Sequence, residues 1–314
     1  MKNENIDKIR CFSDLHIDVN TRYPLTVMLS DVFTVVAGDV SGNVDKSIKW
    51  IKENVVNGIV VAGNHIVYDS KKYRDLDELK TKLADAFPAG GNISFLDCSK
   101  TCSIVKSGIL FIGTTLYTNY EYVSENESCS NYFTCNTPEE ARRRNICIGR
   151  HCMNDFYKHV PVSPEMYYDM FLRDFTMIEH IVEQNEKSDN PLPVVIVTHH
   201  CPSPKFIVEK FEDSELNASF VSDLDAFINK HPSIKAWVAG HIHSRVFTKT
   251  ESGCKLVANP RGYYMDYGYE DYLRQEKGNY TPAITEWNPE VYIDTANWNV
   301  YEEDVSGNKK VLVE

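Results

Sequence analysis

The sequence predicts an α/β fold that carries a metal centre along one sheet edge. Short apolar runs alternate with helical stretches from Ile6 to about Leu116, and the strand pattern resumes at Pro193. Five of these runs stop directly before Asp, Asn or His residues. In open α/β sheets ligands bind just beyond the carboxyl ends of strands, so five such ends form one plausible donor edge.

The runs are Ile9–Phe12 before Asp14 and His16, Val32–Ala37 before Asp39, Ile59–Ala62 before Asn64 and His65, Val194–Val197 before His199, and Ala236–Ala239 before His241 and His243. Each is rich in Val, Ile or an aromatic and ends at Gly or a polar turn, the pattern of a buried strand. Ile109–Gly113, Lys255–Ala258 and a closing segment at Lys309–Glu314 read the same way. Helical spacing marks Val44–Val56, through Ile48, Ile51 and Val55, and Asp75–Phe87, through Leu76, Leu79 and Leu83. Asp75 is placed to cap the second helix, with Glu78 three residues on. Thr137-Pro138 and Ser163-Pro164 open two more helices, each with Pro in the first position. A single domain over 1–314 is expected, with a helical cap insertion at about 119–185 and an acidic, Tyr- and Trp-rich extension at about 264–314.

The formal net charge is −12, from 33 basic and 45 acidic side chains. That balance lacks the basic footprint of a duplex-binding protein and leaves small phosphorylated substrates open. No apolar run is long enough to span a bilayer, and Met1–Ile9 has no apolar leader core, so no membrane partner is expected. The nine cysteines follow no framework spacing and read as reduced thiols of a cytoplasmic protein.

Asp-x-His at the first strand end and His-x-His at the fifth put both donors on one side if the strand alternation continues. Asp39, alone after Gly38, offers a carboxylate able to bridge two ions. Carboxylate, imidazole and amide donors together suit Mn, Fe or Zn better than Ca or Mg. Six or seven donors exceed one tetrahedral site, so two cations are expected. Two metals about 3.5–4 Å apart clamp the attacking and leaving oxygens of an in-line phosphoryl displacement.

Asp14-Leu-His16, Gly38-Asp39, Gly63-Asn64-His65, Thr198-His199 and Gly240-His241-Ile-His243, in that order, resemble the motif set of calcineurin-like metallophosphoesterases. The resemblance covers Cys11–Tyr263. It extends to Gly113-Thr-Thr-Leu-Tyr117, Met153-Asn-Asp155, Leu216-Asn-Ala218 and Asn259-Pro-Arg-Gly-Tyr263, which look like a bacterial and phage subgroup. It implies a four-layer sandwich of two mixed sheets flanked by helices. It also implies one metal on Asp14, His16, Asp39 and His243, and a second on Asp39, Asn64, His199 and His241. Mn²⁺ comes first, with Fe, Zn, Ni or Mg as alternatives. A metal-bridging hydroxide would attack phosphorus in line, with His65 stabilising equatorial oxygens or protonating the leaving oxygen. Two positions depart from the family: Ile66 stands where an acidic residue usually follows Gly-Asn-His, and Gly42 where a second acidic residue is common. The local carboxylate partner of His65 is therefore missing, and Asp69 is a candidate replacement.

Arg261 is a candidate phosphate ligand or a structural arginine. His200 is expected to point away from the metals. Tyr117, Asn119 and Asn154 are cleft candidates by resemblance, or residues that hold the insertion down. Cys129, Cys135, Cys147 and Cys152 with His151 lack zinc-knot spacing. Arg142, Arg143, Arg144 and Arg150 read as a solvated face or a phosphate-steering patch. Tyr263–Tyr272 reads as packing. The expected activity is dinuclear hydrolysis of a small phosphomonoester or phosphodiester, nucleotide-derived compounds included. The alternatives are a nuclease and a non-catalytic scaffold of the same fold.

Overall fold

Strand β1 (Lys8–Phe12) pairs in parallel with β2 (Phe33–Ala37), β2 with β3 (Gly58–Val61), and β3 with β4 (Ile93–Phe95). On its other side β1 meets β11 (Val291–Asp294) antiparallel, and β12 (Val300–Glu303) and β13 (Lys309–Val313) extend that edge antiparallel. The second sheet has a parallel centre of β6 (Ile109–Thr114), β7 (Val194–Thr198), β8 (Ile234–Ala239) and β10 (Lys255–Ala258). Its antiparallel edges are β5 (Ser103–Lys106) and β9 (Val246–Lys249). The result is two mixed sheets, of seven and six strands. The computed structural model describes residues 5–21, 25, 31–69, 75–124, 135–157, 162–263 and 287–314.

The sheets face each other across one apolar layer. Ile9, Cys11, Val35, Ala37 and Ile59 of the first meet Phe111, Val195, Val197, Ala236 and Val257 of the second. Full burial of a Val, Leu, Ile or Phe side chain contributes about 1.5–3 kcal/mol, so this layer fixes which face of each strand turns inward. Helices α1 (Val44–Asn54) and α2 (Leu76–Ala86) cover the outer face of the first sheet, with Ile51, Leu79 and Leu83 buried there. Asp75 caps α2, accepting from the Asp77 amide at 2.9 Å.

Thr137 caps α3 (Pro138–Cys152) and Ser163 caps α5 (Pro164–Glu186), each just before its Pro. Along α5 the residues Phe171, Ile178 and Val182 pack on Leu110, Ile112, Val194 and Ile196, so this helix is a flanking layer of the second sheet. α6 (Asp225–Lys230) joins it there through Ile228. α3 packs against α5, the 3₁₀ turn Asn217–Ser219 and the short α4 (Asn154–Tyr157), and α4 lies against the 3₁₀ turn Asn64–Asp69. Among the described residues no helix is long and apolar enough to cross a membrane.

Candidate metal centre

The parallel strands of both sheets end at the same edge, and the loops that follow β1, β2, β3, β7 and β8 supply the donors. The spacing of Asp14 and His16 works for a reason other than strand alternation. β1 ends at Phe12, and both residues lie beyond it in left-handed backbone, φ 52° and 42°. Asp39, His241 and His243 share that conformation, at φ 50°, 69° and 47°. Such a backbone is costly for residues with a Cβ, and its clustering at one edge marks a functional site. The turns are held from below. The Asp14 carboxylate accepts from the His241 amide at 3.0 Å, and Asp39 Oδ1 accepts from the His65 amide at 3.1 Å. Gly63 has no room for a side chain, since a Cβ there would lie 1.9 Å from Asp39 Oδ1.

Three sets of donor atoms converge, each within 4.8 Å of one another: Asp14, His16 and His243; Asp39, His199 and His241; and His16, Asp39 and His65. Asn64 joins the second set, with Oδ1 2.9 Å from His199 Nε2. All seven residues expected as ligands are thus brought together, and Asp39 stands in two sets. His65 also lies within ligand reach.

The donor set fits cations. His16 Nε2 and His243 Nε2 face each other at 3.0 Å, with Asp14 Oδ1 3.4 Å from the latter. His241 Nε2 is buried without a hydrogen-bond partner. His199 Nδ1 donates to the Ala37 carbonyl at 2.9 Å, which leaves Nε2 as its ligand atom, 3.2 Å from Asp39 Oδ2. Burial opposes the charge of Asp14, but hydrogen bonds from His16 and His243 outweigh it and hold the carboxyl well below its usual range. Burial also works against the charge of Asp39, and the histidines, His199 foremost, overcome it. Burial lowers His199, yet Asp39 and Asp14 carry it up to about 9; burial and neighbouring imidazoles lower His241. Two carboxylates among nitrogen donors of mixed basicity make a set that divalent cations satisfy.

Around His65 the structure places two tyrosines where the sequence offered Asp69. Tyr263 Oη lies 3.0 Å from His65 Nε2, and the Tyr68 ring stacks at 4.0 Å. Burial, with His16 and His243 nearby, lowers His65 to about 4, so its imidazole is neutral. The space beside Gly42 is taken by Asp18, whose Oδ2 accepts from the Gly42 amide at 3.2 Å.

Two residues of this site escaped assignment from the sequence. Asp155 accepts from Asn64 Nδ2 through both oxygens at 3.0 Å, and Tyr68 donates to it as well. Tyr263 packs its ring 4.3 Å from His16 and 4.6 Å from His243. Both close short motifs, Met-Asn-Asp155 and Asn-Pro-Arg-Gly-Tyr263, which were the available signals.

The remaining candidates fall as follows. Arg261 is buried beneath the Asp14–His16 turn, Nη1 donating to the Leu15 carbonyl at 3.3 Å, and lies outside the cleft lining. Its amide donates to Ser13, and that of Gly262 to Asp14, so this segment clamps the ligand turn. His200 is buried against the His241 ring at 4.2 Å, and burial lowers it to about 3. Tyr117 is buried on Tyr167, 4.1 Å between rings. Asn119 receives Glu121 in a local turn, and Asn154 lines the cleft. Arg142 and Arg144 pair with Glu121 and Glu215, while Arg143 and Arg150 pair with Glu139 and Glu165. Among the described residues Cys135, Cys147, Cys152 and His151 join none of the metal-competent groups. Cys129 and Tyr264–Tyr272 lie outside the described residues.

Beside the centre opens a cavity of about 390 Å³, bordered by Asn64, His65, His241, His243 and Tyr263.

No curated protein matches the chain in sequence. Among solved structures, the phosphopantetheinyl hydrolase PptH of Mycobacterium tuberculosis superposes with TM-score 0.54 at 18% identity, over 82% of this chain and 89% of that one. At that identity the likeness is one of fold. A dimetal phosphatase of Danio rerio matches at TM-score 0.42 and 13% identity, over 81% of this chain and 87% of that one. The profile of calcineurin-like phosphoesterases matches residues 8–245, most of the chain and every ligand turn described above. The chain belongs to the calcineurin-like phosphoesterase family.

Proposed function

We propose that the centre binds two divalent cations and that the protein hydrolyses a small phosphomonoester or phosphodiester. One cation would be held by Asp14, His16, Asp39 and His243, the other by Asp39, Asn64, His199 and His241, with Mn²⁺ the first candidate and Fe, Zn, Ni or Mg the alternatives. When bound, such a pair supplies Lewis acidity and lowers the pKa of water. The observation that carries the reading is the run of shared donors: His16 belongs both to the set with Asp14 and His243 and to that with Asp39 and His65, and Asp39 belongs to the latter and to the set with His199 and His241.

The chain's own groups divide the remaining work. Asp14, Asp39 and Asn64 are fixed by backbone and carboxylate partners, so the donors need little reorganisation. His65, with Nε2 against Tyr263 Oη, stands at the cleft wall to stabilise phosphate oxygens by donating a hydrogen bond; to protonate the leaving oxygen it would first take up a proton and act as imidazolium. Arg261 supports the reaction from beneath, by bracing the turn that carries Asp14 and His16. The described cysteines are free thiols, in keeping with a cytoplasmic location.

The test is hydrolysis of p-nitrophenyl phosphate and its bis ester by protein loaded with each metal in turn. Activity that needs metal and disappears in Asp39→Ala supports the reading. No activity with any metal, or full activity in Asp39→Ala, overturns it.

A further inference from the structure

The cavity beside the centre is built for an apolar group. Away from the histidines its walls include Met153, Phe206, Ile207, Val208, Phe211 and Leu216. Lys210 is the one lysine or arginine among the described lining residues. Asn154, Ser214, Asn217 and Ser244 set neutral polar groups among these apolar walls, a mix that binds a largely apolar organic body and orients it by the polar groups.

The wall is preformed. Asn217 Nδ2 donates to the Phe211 carbonyl at 2.7 Å, which ties the segment to the 3₁₀ turn Asn217–Ser219. Phe206 is fully buried, whereas Phe211 keeps 45% of its surface exposed. An exposed aromatic ring at a cleft wall is available for ligand contact.

Charge narrows the class further. In the stretch Glu209–Glu215 the exposed side chains Glu209, Glu212, Asp213 and Glu215 face solvent with Lys210 as the single base. Arg144 is engaged with Glu215 at 3.1 Å. None of these four carboxylates lines the cavity, and Lys210 is the single described lysine or arginine that could meet a further phosphate there, so the metal end is the principal phosphate site.

The geometry points to a substrate whose single phosphoester group meets the centre while an uncharged, apolar alcohol portion fills the cavity. Polyphosphates and nucleic acid strands are disfavoured. This rests on the phosphoesterase reading and specifies its substrate class.

The test uses metal-loaded protein and n-alkyl phosphates from methyl to octyl, whose leaving alcohols have similar acidity. The expected kcat/KM rises about fourfold per methylene until the cavity is full. A single-stranded oligonucleotide and glycerol phosphate fall at least tenfold below octyl phosphate. Phe211→Ser and Val208→Asp each lower the octyl-to-methyl ratio at least tenfold. In parallel, calorimetry of octylphosphonate binding reads a negative heat-capacity change, and affinity at least tenfold above methylphosphonate. A flat alkyl series with active enzyme overturns this inference and leaves the phosphoesterase reading standing. Failure to hydrolyse any ester overturns that reading, and equal affinity for the two phosphonates then overturns this one separately.

Discussion

Asn64 and Asp155 stand 91 positions apart and are joined by two hydrogen bonds of 3.0 Å, with the amide donating to both carboxylate oxygens. The pair settles which way the Asn64 amide faces: its nitrogen is spent on Asp155, so its oxygen is turned to His199. Groups that orient ligands in this way contribute about 10–100-fold to metal affinity. Asp155→Ala is therefore expected to lose that much affinity in a metal-binding titration, and wild-type affinity would show that Asn64 needs no support.

Removal of metal should cost both activity and stability. A cation present at about 100 times its Kd stabilises the native state by about 2.7 kcal/mol. Wild-type protein is expected to melt at lower temperature after chelation and to recover with Mn²⁺. Asp39→Ala should show no such recovery.

The Tyr263 hydroxyl lies 3.0 Å from His65 Nε2. Tyr263→Phe keeps the ring against His16 and His243 and deletes that bond. A net hydrogen bond of about 1 kcal/mol corresponds to a kcat loss of several-fold, up to about tenfold, with KM little changed. Unaltered kcat in steady-state assays would leave the hydroxyl without a part in the reaction.

Gly63→Ala should separate site from fold. Its Cβ would collide with the Asp39 turn, 1.9 Å from Oδ1 and 2.7 Å from the backbone nitrogen. Metal content is expected to fall well below that of wild type while circular dichroism stays native. Full occupancy would mean that the Asp39 turn can shift.

A buried ion pair provides a pH test of the scaffold. Lys80 Nζ and Asp97 Oδ2 lie 2.7 Å apart, both nearly inaccessible to solvent. Burial raises the Asp97 carboxyl, but Lys80 and hydrogen bonds from Ser99 outweigh it and set the pKa below the ordinary value. A carboxyl depressed in the folded state stabilises the fold above its unfolded pKa of about 3.9, and that contribution is lost as the pH falls through the folded value. Lys80→Ala is expected to cost about 3–5 kcal/mol at neutral pH, by stranding the carboxylate. Denaturant titrations should show the wild-type advantage shrinking below about pH 4.

The central strands and long helices of this chain were legible because each carries its own pattern. Val194–Val197 and Ala236–Ala239 are short and β-rich, and Thr137-Pro138 and Ser163-Pro164 start helices through local hydrogen bonds that need no tertiary partner. The donors were legible too, since Asp, Asn and His directly after such strands are chemically conspicuous. Periodicity in α5 announced a buried face at Tyr167, Phe171 and Ile178. It did not tell that the face lies on the second sheet, because a helix stripe records that something covers it and not what.

By itself the sequence marked the central strands, the four longest helices and seven candidate donors, since these follow from patterns within a few residues; the edge strands Ile93–Phe95, Ser103–Lys106, Val246–Lys249, Val291–Asp294 and Val300–Glu303 carry no such pattern. Tertiary structure alone decided that Tyr263 meets His65 across 198 positions, that Asp155 orients Asn64, and that Arg261 donates to the Leu15 carbonyl beneath the ligand turn. Those contacts depend on how two sheets stack and which loops then share an edge. That arrangement is fixed by burial of the whole inter-sheet layer, which no local stretch of sequence contains.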